Sequence, residues 1–164
     1  MNATTEFYQT LSTMSFTLLG IWFAVLQLAN GRWRSDPQRH RWNLHIALHF
    51  FLPGSLGLGA LLSGGSDGGL LWRITFIIGG LAGLAESLSF LQLPGRPFAL
   101  AGQFLRATDP MLYTLMVLAA LIPGGLFLVT PLQIEGIATG LLFMSGLCYV
   151  WLAFVESAPA SPHP

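Results

Sequence analysis

The sequence contains no lysine, a single cysteine and few charged residues of any kind. Charged residues make up 9% of its 164 residues, with a net charge of zero, whereas soluble domains carry about a quarter. Cys148 alone cannot form an intramolecular disulfide, and no CxxC zinc or redox pattern is present. The neutral charge and the lack of a dense basic cluster argue against nucleic acid as a partner. The chain also lacks HExxH, GxSxG and a phosphate-binding glycine loop, so no catalytic residue can be identified, an enzyme is the less favoured class, and a cofactor stays unknown.

Long apolar runs are what the sequence does contain. Hydrophobic residues make up 53% of the chain, and five runs approach or exceed the 20 or so residues that a membrane helix needs. A β-barrel would instead show short strands in which polar and apolar residues alternate. The sequence therefore predicts an all-α, polytopic integral membrane bundle of five transmembrane helices in one domain, residues 1–164. The predicted spans are about 7–29, 43–62, 70–93, 111–129 and 134–155.

Local signals predict where several helices begin. Asp36-Pro37 and Asp109-Pro110 each place a capping carboxylate before a proline at the first helical position, before the second and fourth spans. Thr130 and Gln133 have the spacing of a capping box at the start of the fifth span.

The fourth span is the least regular. Residues 111–121 are too few to cross a bilayer, so "LIPGG" at 121–125 is predicted to be a kink inside the span. The preceding segment, 98–106, could lie as a short amphipathic piece on the membrane surface or extend a neighbouring helix.

Arginine predicts the orientation, because cytoplasmic loops are enriched in positive charge. Six of the seven arginines lie between spans one and two or between spans three and four. We therefore expect the N-terminus outside and the C-terminus in the cytoplasm. The compact chain and its exclusive use of arginine suggest a bacterial inner membrane. The six are Arg32, Arg34, Arg39, Arg41, Arg96 and Arg106.

One face of the first span carries polar or small side chains along its whole length. Such a stripe, with a carboxylate at its outer end, could line a water-filled path for cations if several copies surround an axis. The same residues could instead pack helices closely. The stripe consists of Glu6, Thr10, Thr13, Thr17, Gly20, Ala24 and Gln27.

Glycines at four-residue spacing predict close helix packing elsewhere. Gly79 and Gly83 form one such pair, and Gly136 and Gly140 form another. Small residues at this spacing let membrane helices approach each other closely. These pairs favour association of helices within one chain or between chains.

Glu86 lies inside the third span, where a carboxylate needs a partner, water or a proton. His45 and His49 are four residues apart on the second span and enter from the same side, and Gln27 belongs to the same level. Two histidines and a carboxylate could bind a divalent transition metal or relay protons. They could also fix helix packing, or bind a lipid or quinone headgroup.

Three classes of function follow from these features. The first is a homo-oligomeric channel or carrier for an ion or proton, with the first helix near the conduction axis. The second is a non-catalytic subunit or assembly factor of a larger membrane complex. The third is a membrane enzyme acting on a lipid or quinone. Membrane lipid is a partner in each case.

Overall fold

The computed structural model describes residues 3–29, 36–64, 69–92, 100–124 and 128–156. They form five α-helices, each long and apolar enough to cross a membrane. The prediction of an all-α integral membrane bundle is therefore confirmed. The helices are α1 (Ala3–Leu28), α2 (Pro37–Leu62), α3 (Leu70–Leu91), α4 (Leu100–Leu121) and α5 (Pro131–Glu156).

Two of the three predicted helix starts are confirmed. Asp36 caps α2, because its Oδ1 accepts the N–H groups of Gln38 and Arg39 at 2.9 and 3.3 Å. At the start of α5, the Thr130 N–H donates to Gln133 Oε1 at 3.0 Å, and the Gln133 N–H donates to Thr130 Oγ1 at 3.3 Å. Each cap satisfies N–H groups that the first helical turn leaves unpaired.

The predicted fourth span, 111–129, is wrong. Helix α4 covers Leu100–Leu121, so the Asp109-Pro110 pair lies inside the helix and not at its start. The carboxylate of Asp109 is engaged by side chains of α2 and α5, which a local capping pattern does not reveal. The helix ends at Leu121, so the predicted kink at 121–125 is also wrong in its described part, 121–124. Of segment 98–106, residues 100–106 belong to α4, and 98–99 lie outside the described residues.

Helix α2 occupies the centre of the bundle. It contacts α1, α3 and α5, while α4 packs between α3 and α5. Of its apolar window, 67% is buried, against 22% for α1. Consecutive helices run antiparallel, so α2 and α4 begin at the same end of the bundle where α1, α3 and α5 end. We name this end, where Arg39, Arg41 and Arg106 lie, the arginine end.

Glycines on α3 permit its close contacts with both neighbours. A Cβ built on Gly79 would lie 2.7 Å from Leu56 Cδ2 of α2. A Cβ built on Gly83 would overlap the ring of Tyr113 of α4, 2.5 Å from its Cδ1. Helix α3 therefore has room for hydrogen alone at these positions unless its neighbours move.

Glycines on α5 differ in how closely they are packed. A Cβ on Gly136 or Gly140 would lie 3.2 or 3.7 Å from the ring of Phe7 on α1. A Cβ on Gly146 would lie 2.9 Å from the Cβ of His49. Helix α5 therefore approaches α2 closely beside a histidine of the second span.

Prolines lie inside two of the helices. Pro53 is within α2 and Pro110 is within α4. Because proline has no N–H, the carbonyls four residues earlier, those of His49 and Arg106, lose their usual helical donor.

Candidate functional site

Three helices bring a cluster of polar side chains together in the interior of the bundle. Helix α2 supplies His45 and His49, which share one face because they are four residues apart. Helix α4 supplies Asp109, and α5 supplies Tyr149. All four side chains are buried, with at most 1% of each residue exposed. A charged group at this depth is costly unless it is paired, so the arrangement points to function.

Asp109 is the centre of the cluster. Its Oδ2 lies 3.6 Å from His45 Nε2 and 3.3 Å from His49 Nε2. The Tyr149 hydroxyl donates a hydrogen bond of 2.7 Å to the same oxygen. One potential metal-binding atom from each histidine and from Asp109 lies within 4.8 Å of the other two. The cluster therefore presents two nitrogens and a carboxylate oxygen to a common point.

The other ring nitrogen of each histidine faces an acceptor. Nδ1 of His49 is 2.9 Å from the carbonyl oxygen of His45. Because a carbonyl can only accept, we infer that Nδ1 carries the hydrogen and that the lone pair of neutral His49 is on Nε2. Nδ1 of His45 faces Glu86 Oε1 at 3.6 Å. In metal sites such acceptors orient the ligating ring and raise its basicity.

Several atoms of this cluster have no hydrogen-bond partner within the described part of the chain. They include both ring nitrogens of His45, Nε2 of His49 and Oδ1 of Asp109. Buried polar atoms are nearly always paired in native proteins. A lone pair on Nε2 facing a carboxylate is repulsive, so a proton or a cation is needed between them. Two imidazole nitrogens and a carboxylate oxygen can hold either a proton or a metal cation.

Glu86 has two distinct neighbours. Its Oε2 forms an ion pair with Arg41 Nη2 at 3.0 Å, while its Oε1 faces His45. Arg41 Nη2 also donates to Ser89 Oγ at 2.6 Å. The structure thus brings Glu86 to His45, as the sequence suggested, but the carboxylate that meets both histidines is Asp109.

Aromatic rings border the cluster on two sides, with Phe90 toward the arginine end and Tyr113 on the side away from it. Phe90 stacks on the ring of His45, with centroids 3.8 Å apart and planes 9° from parallel. Arg106 lies over the Phe90 ring and donates to the Phe90 carbonyl. Tyr113 packs against His49 with centroids 6.4 Å apart. Such apolar surroundings lower the local dielectric and strengthen electrostatic interactions with a bound cation.

The polar stripe of the first helix lies away from this cluster. Every one of its members is exposed on the single chain, including Gln27, which the sequence placed near Glu86. Thr13 and Thr17 donate to carbonyls of their own helix, those of Gln9 and Thr13, at 2.9 and 2.7 Å. Helix α1 instead packs on the bundle through Tyr8, Leu11, Ser12, Ser15 and Trp22. The role of Glu6, Thr10, Thr13, Thr17 and Gln27 as path-lining residues stays a prediction.

Sequence reasoning missed Asp109 and Tyr149. Asp109 was assigned to a cap, although it shares a helical face with Tyr113 and Met116, which are also buried. Extending that face backwards from Tyr113 is the signal that would have placed Asp109 in the core. Tyr149 follows Leu142 by two helical turns on the buried face of α5, and the same argument would have found it.

Comparisons with known protein families, with curated proteins and with solved structures find no match to this chain. The class of the protein is therefore defined by its architecture and its site. It is an integral membrane bundle of five helices with a buried histidine and carboxylate cluster.

Proposed function

We propose that this protein binds a divalent first-row transition metal ion within the membrane and acts as a carrier for it. The ligands are Nε2 of His45, Nε2 of His49 and a carboxylate oxygen of Asp109. The observation that supports the proposal is their convergence, with the Nδ1 atom of each histidine facing an acceptor. Imidazole nitrogen favours zinc, iron, cobalt or nickel over magnesium and calcium, which prefer all-oxygen sites.

Two of the three spacings between the ligand atoms fit a tetrahedral ion. Zinc ligands lie about 2.1 Å from the metal, which at tetrahedral angles places two ligand atoms about 3.4 Å apart. The two distances from Asp109 Oδ2 to the histidine nitrogens are 3.6 and 3.3 Å. Three protein ligands leave a fourth position for water or another ligand, as in open metal sites. A bound ion would also separate the facing lone pairs of His49 and Asp109.

The depth of the cluster favours transport over a purely structural role. Asp109 is nine residues into α4, which is roughly 14 Å along the helix axis from the arginine end. Ionisable groups at such depths mark ion and substrate pathways in membrane proteins. We therefore favour the carrier within the first class of function.

The stripe on α1 supports assembly of several copies. Its threonines and Glu6 are exposed along a whole helix, and hydroxyl-rich faces of this kind pack against other helices in membranes. We propose a homo-oligomer in which this face of α1 contacts another copy. A location in a bacterial inner membrane is part of the same proposal, whereas the path of the metal runs through the cluster of α2, α4 and α5 and not along α1.

Native mass spectrometry of the full chain released from detergent tests metal content and copy number together. We expect one Co²⁺ or Zn²⁺ per chain and a peak for more than one chain. The variants His49→Ala and Asp109→Asn should lower Co²⁺ affinity by more than about 100-fold, since outer partners of metal ligands alone are worth 10 to 100-fold. His40→Ala removes an exposed histidine of the same helix and is the matched control.

Metal uptake into vesicles tests the carrier role directly. Proteoliposomes with an internal Co²⁺ indicator should fill faster with the natural chain than with Asp109→Asn. Equal Co²⁺ affinity of the natural chain and the His49→Ala and Asp109→Asn variants would overturn the metal site. Tight binding without uptake would overturn the carrier role alone.

A further inference from the structure

We infer that a cleft between α2 and α3 is the route by which the metal reaches the site, and that the Arg41–Glu86 ion pair is the latch on this route. The inference rests on the proposed metal site and names its point of entry. It gives a role to Glu86, which binds none of the three ligand atoms but lies beside one ligand, His45.

The cleft is large enough for a hydrated ion. Its volume is about 400 Å³, and six waters at about 30 Å³ each occupy about 180 Å³. Its wall combines polar residues with small and apolar ones. The lining residues are Arg41, Leu48, Leu52, Ala82, Ala85, Glu86 and Ser89.

Glu86 forms the boundary between the cleft and the cluster. It lines the cleft, and its side chain is 14% exposed. Its Oε1, by contrast, is buried, faces His45 Nδ1 at 3.6 Å and has no hydrogen-bond partner among the residues that the structure describes. A cation that reaches Glu86 from the cleft is therefore one imidazole ring away from Asp109.

Among the described residues, packed side chains or backbone border the cluster on three sides. Phe90 is stacked on His45, and Tyr113 is buried beside His49. Helix α5 closes the third side, because Gly146 brings its backbone against His49. On the α3 side, Glu86 borders the cluster one turn further from the arginine end than the ring of Phe90, and this carboxylate also lines the cleft.

Arg41 controls whether that carboxylate can receive a cation. Its guanidinium is held by Glu86 and Ser89, so positive charge lies across the cleft in the described state. A cation is repelled while the pair is closed and attracted by Glu86 once the guanidinium moves aside. The Arg41 side chain is 29% exposed, and partly exposed ion pairs are weak enough to open readily.

Stopped-flow measurements of Co²⁺ binding to the full chain, and of Co²⁺ release to excess EDTA, test the route. Ala85→Phe fills the cleft and should slow binding and release by the same factor, about tenfold or more, while the Co²⁺ affinity stays unchanged. A substitution that only disturbed the fold would not slow binding and release equally while leaving the affinity unchanged. Ala82→Phe fills the same cleft from one turn away and replaces Ala85→Phe if that variant does not fold. Leu88→Phe places a ring on the same helix at an exposed position outside the lining and should leave both rates unchanged.

Removal of the latch should have the opposite effect. Arg41→Gln should accelerate Co²⁺ binding by about tenfold, because the repulsive charge is lost from the cleft. Arg39→Gln removes a charge from the same end of the bundle at an exposed residue outside the cleft lining, and should leave the rate unchanged. If the natural chain binds Co²⁺ and the cleft-filling and Arg41 variants exchange it at the natural rate, the route is overturned while the metal site stands. If the natural chain binds no Co²⁺, the proposed function itself fails.

Discussion

Two buried tyrosines provide a direct test of the charge on Asp109. Tyr149 and Tyr8 are both fully buried, and each hydroxyl donates a hydrogen bond of 2.7 Å. The acceptor of Tyr149 is the carboxylate of Asp109, whereas the acceptor of Tyr8 is the carbonyl of Leu132. Hydrogen bonds to charged groups contribute about 1.5–3 kcal/mol, and neutral ones in membrane proteins average about 0.6 kcal/mol. Tyr149→Phe should therefore lower the free energy of unfolding by about 1–2 kcal/mol more than Tyr8→Phe.

The assay is equilibrium unfolding of the metal-free protein in mixed detergent and SDS micelles, followed by tryptophan fluorescence. Each substitution removes one hydroxyl and keeps the ring. The two variants therefore differ in the hydrogen bond that is lost and not in the packing of the ring. Equal destabilisation by Tyr149→Phe and Tyr8→Phe would refute the reasoning, because it would mean that Asp109 accepts the bond as a neutral group.

Two further predictions concern packing and orientation. Gly83→Ala should destabilise the bundle by about 1–3 kcal/mol, because its Cβ overlaps a buried ring. Gly140→Ala makes an ordinary contact and should be neutral or stabilising by up to about 1 kcal/mol; equal effects of the two variants on unfolding would contradict the packing described. In a chain whose native cysteine is replaced, a cysteine at Ser35 should be shielded from an impermeant thiol reagent in intact cells, and one at Ser66 should be labelled. The reverse labelling pattern would invert the membrane orientation.

The helix starts that could be predicted from sequence are those decided by nearby residues. Asp36 and Thr130 bond to N–H groups two or three residues away, so the pattern contains the whole interaction. Asp109-Pro110 has the same local pattern as Asp36-Pro37, but its carboxylate is engaged by helices 40 or more residues distant in sequence. The capping pattern alone does not separate a capping aspartate from a buried one, and α4 was placed incorrectly because the helical face that Asp109 shares with Tyr113 and Met116 was not considered.

The candidate site, too, could be predicted from sequence only where a relation lies within one helix. His45 and His49 could be placed on one face from sequence because a four-residue spacing is a property of one helix. Their closeness to Glu86 followed from comparable depth in the membrane, but depth does not say which carboxylate faces which ring. Similarly, the wheel of α1 separates its polar stripe from its apolar faces without indicating which side packs on the bundle. Tyr8 and Ser12 are polar but lie on the side of α1 that packs on the bundle, so polarity does not decide which side packs.

The prolines of α2 and α4 have a mechanical consequence for metal selection. Pro53 frees the carbonyl of His49, a ligand in the proposed metal site, and Pro110 directly follows Asp109, another proposed ligand. Both helices can therefore bend beside the site without losing a helical hydrogen bond that would otherwise hold them straight. In the proposed site, the ligands of α2 and α4 are carried by helices that can bend, so the ligand positions can adjust to ions whose radii differ by a few tenths of an ångström. If the protein carries metal ions as proposed, it must then discriminate among them while they enter, and not by the size of the site that receives them.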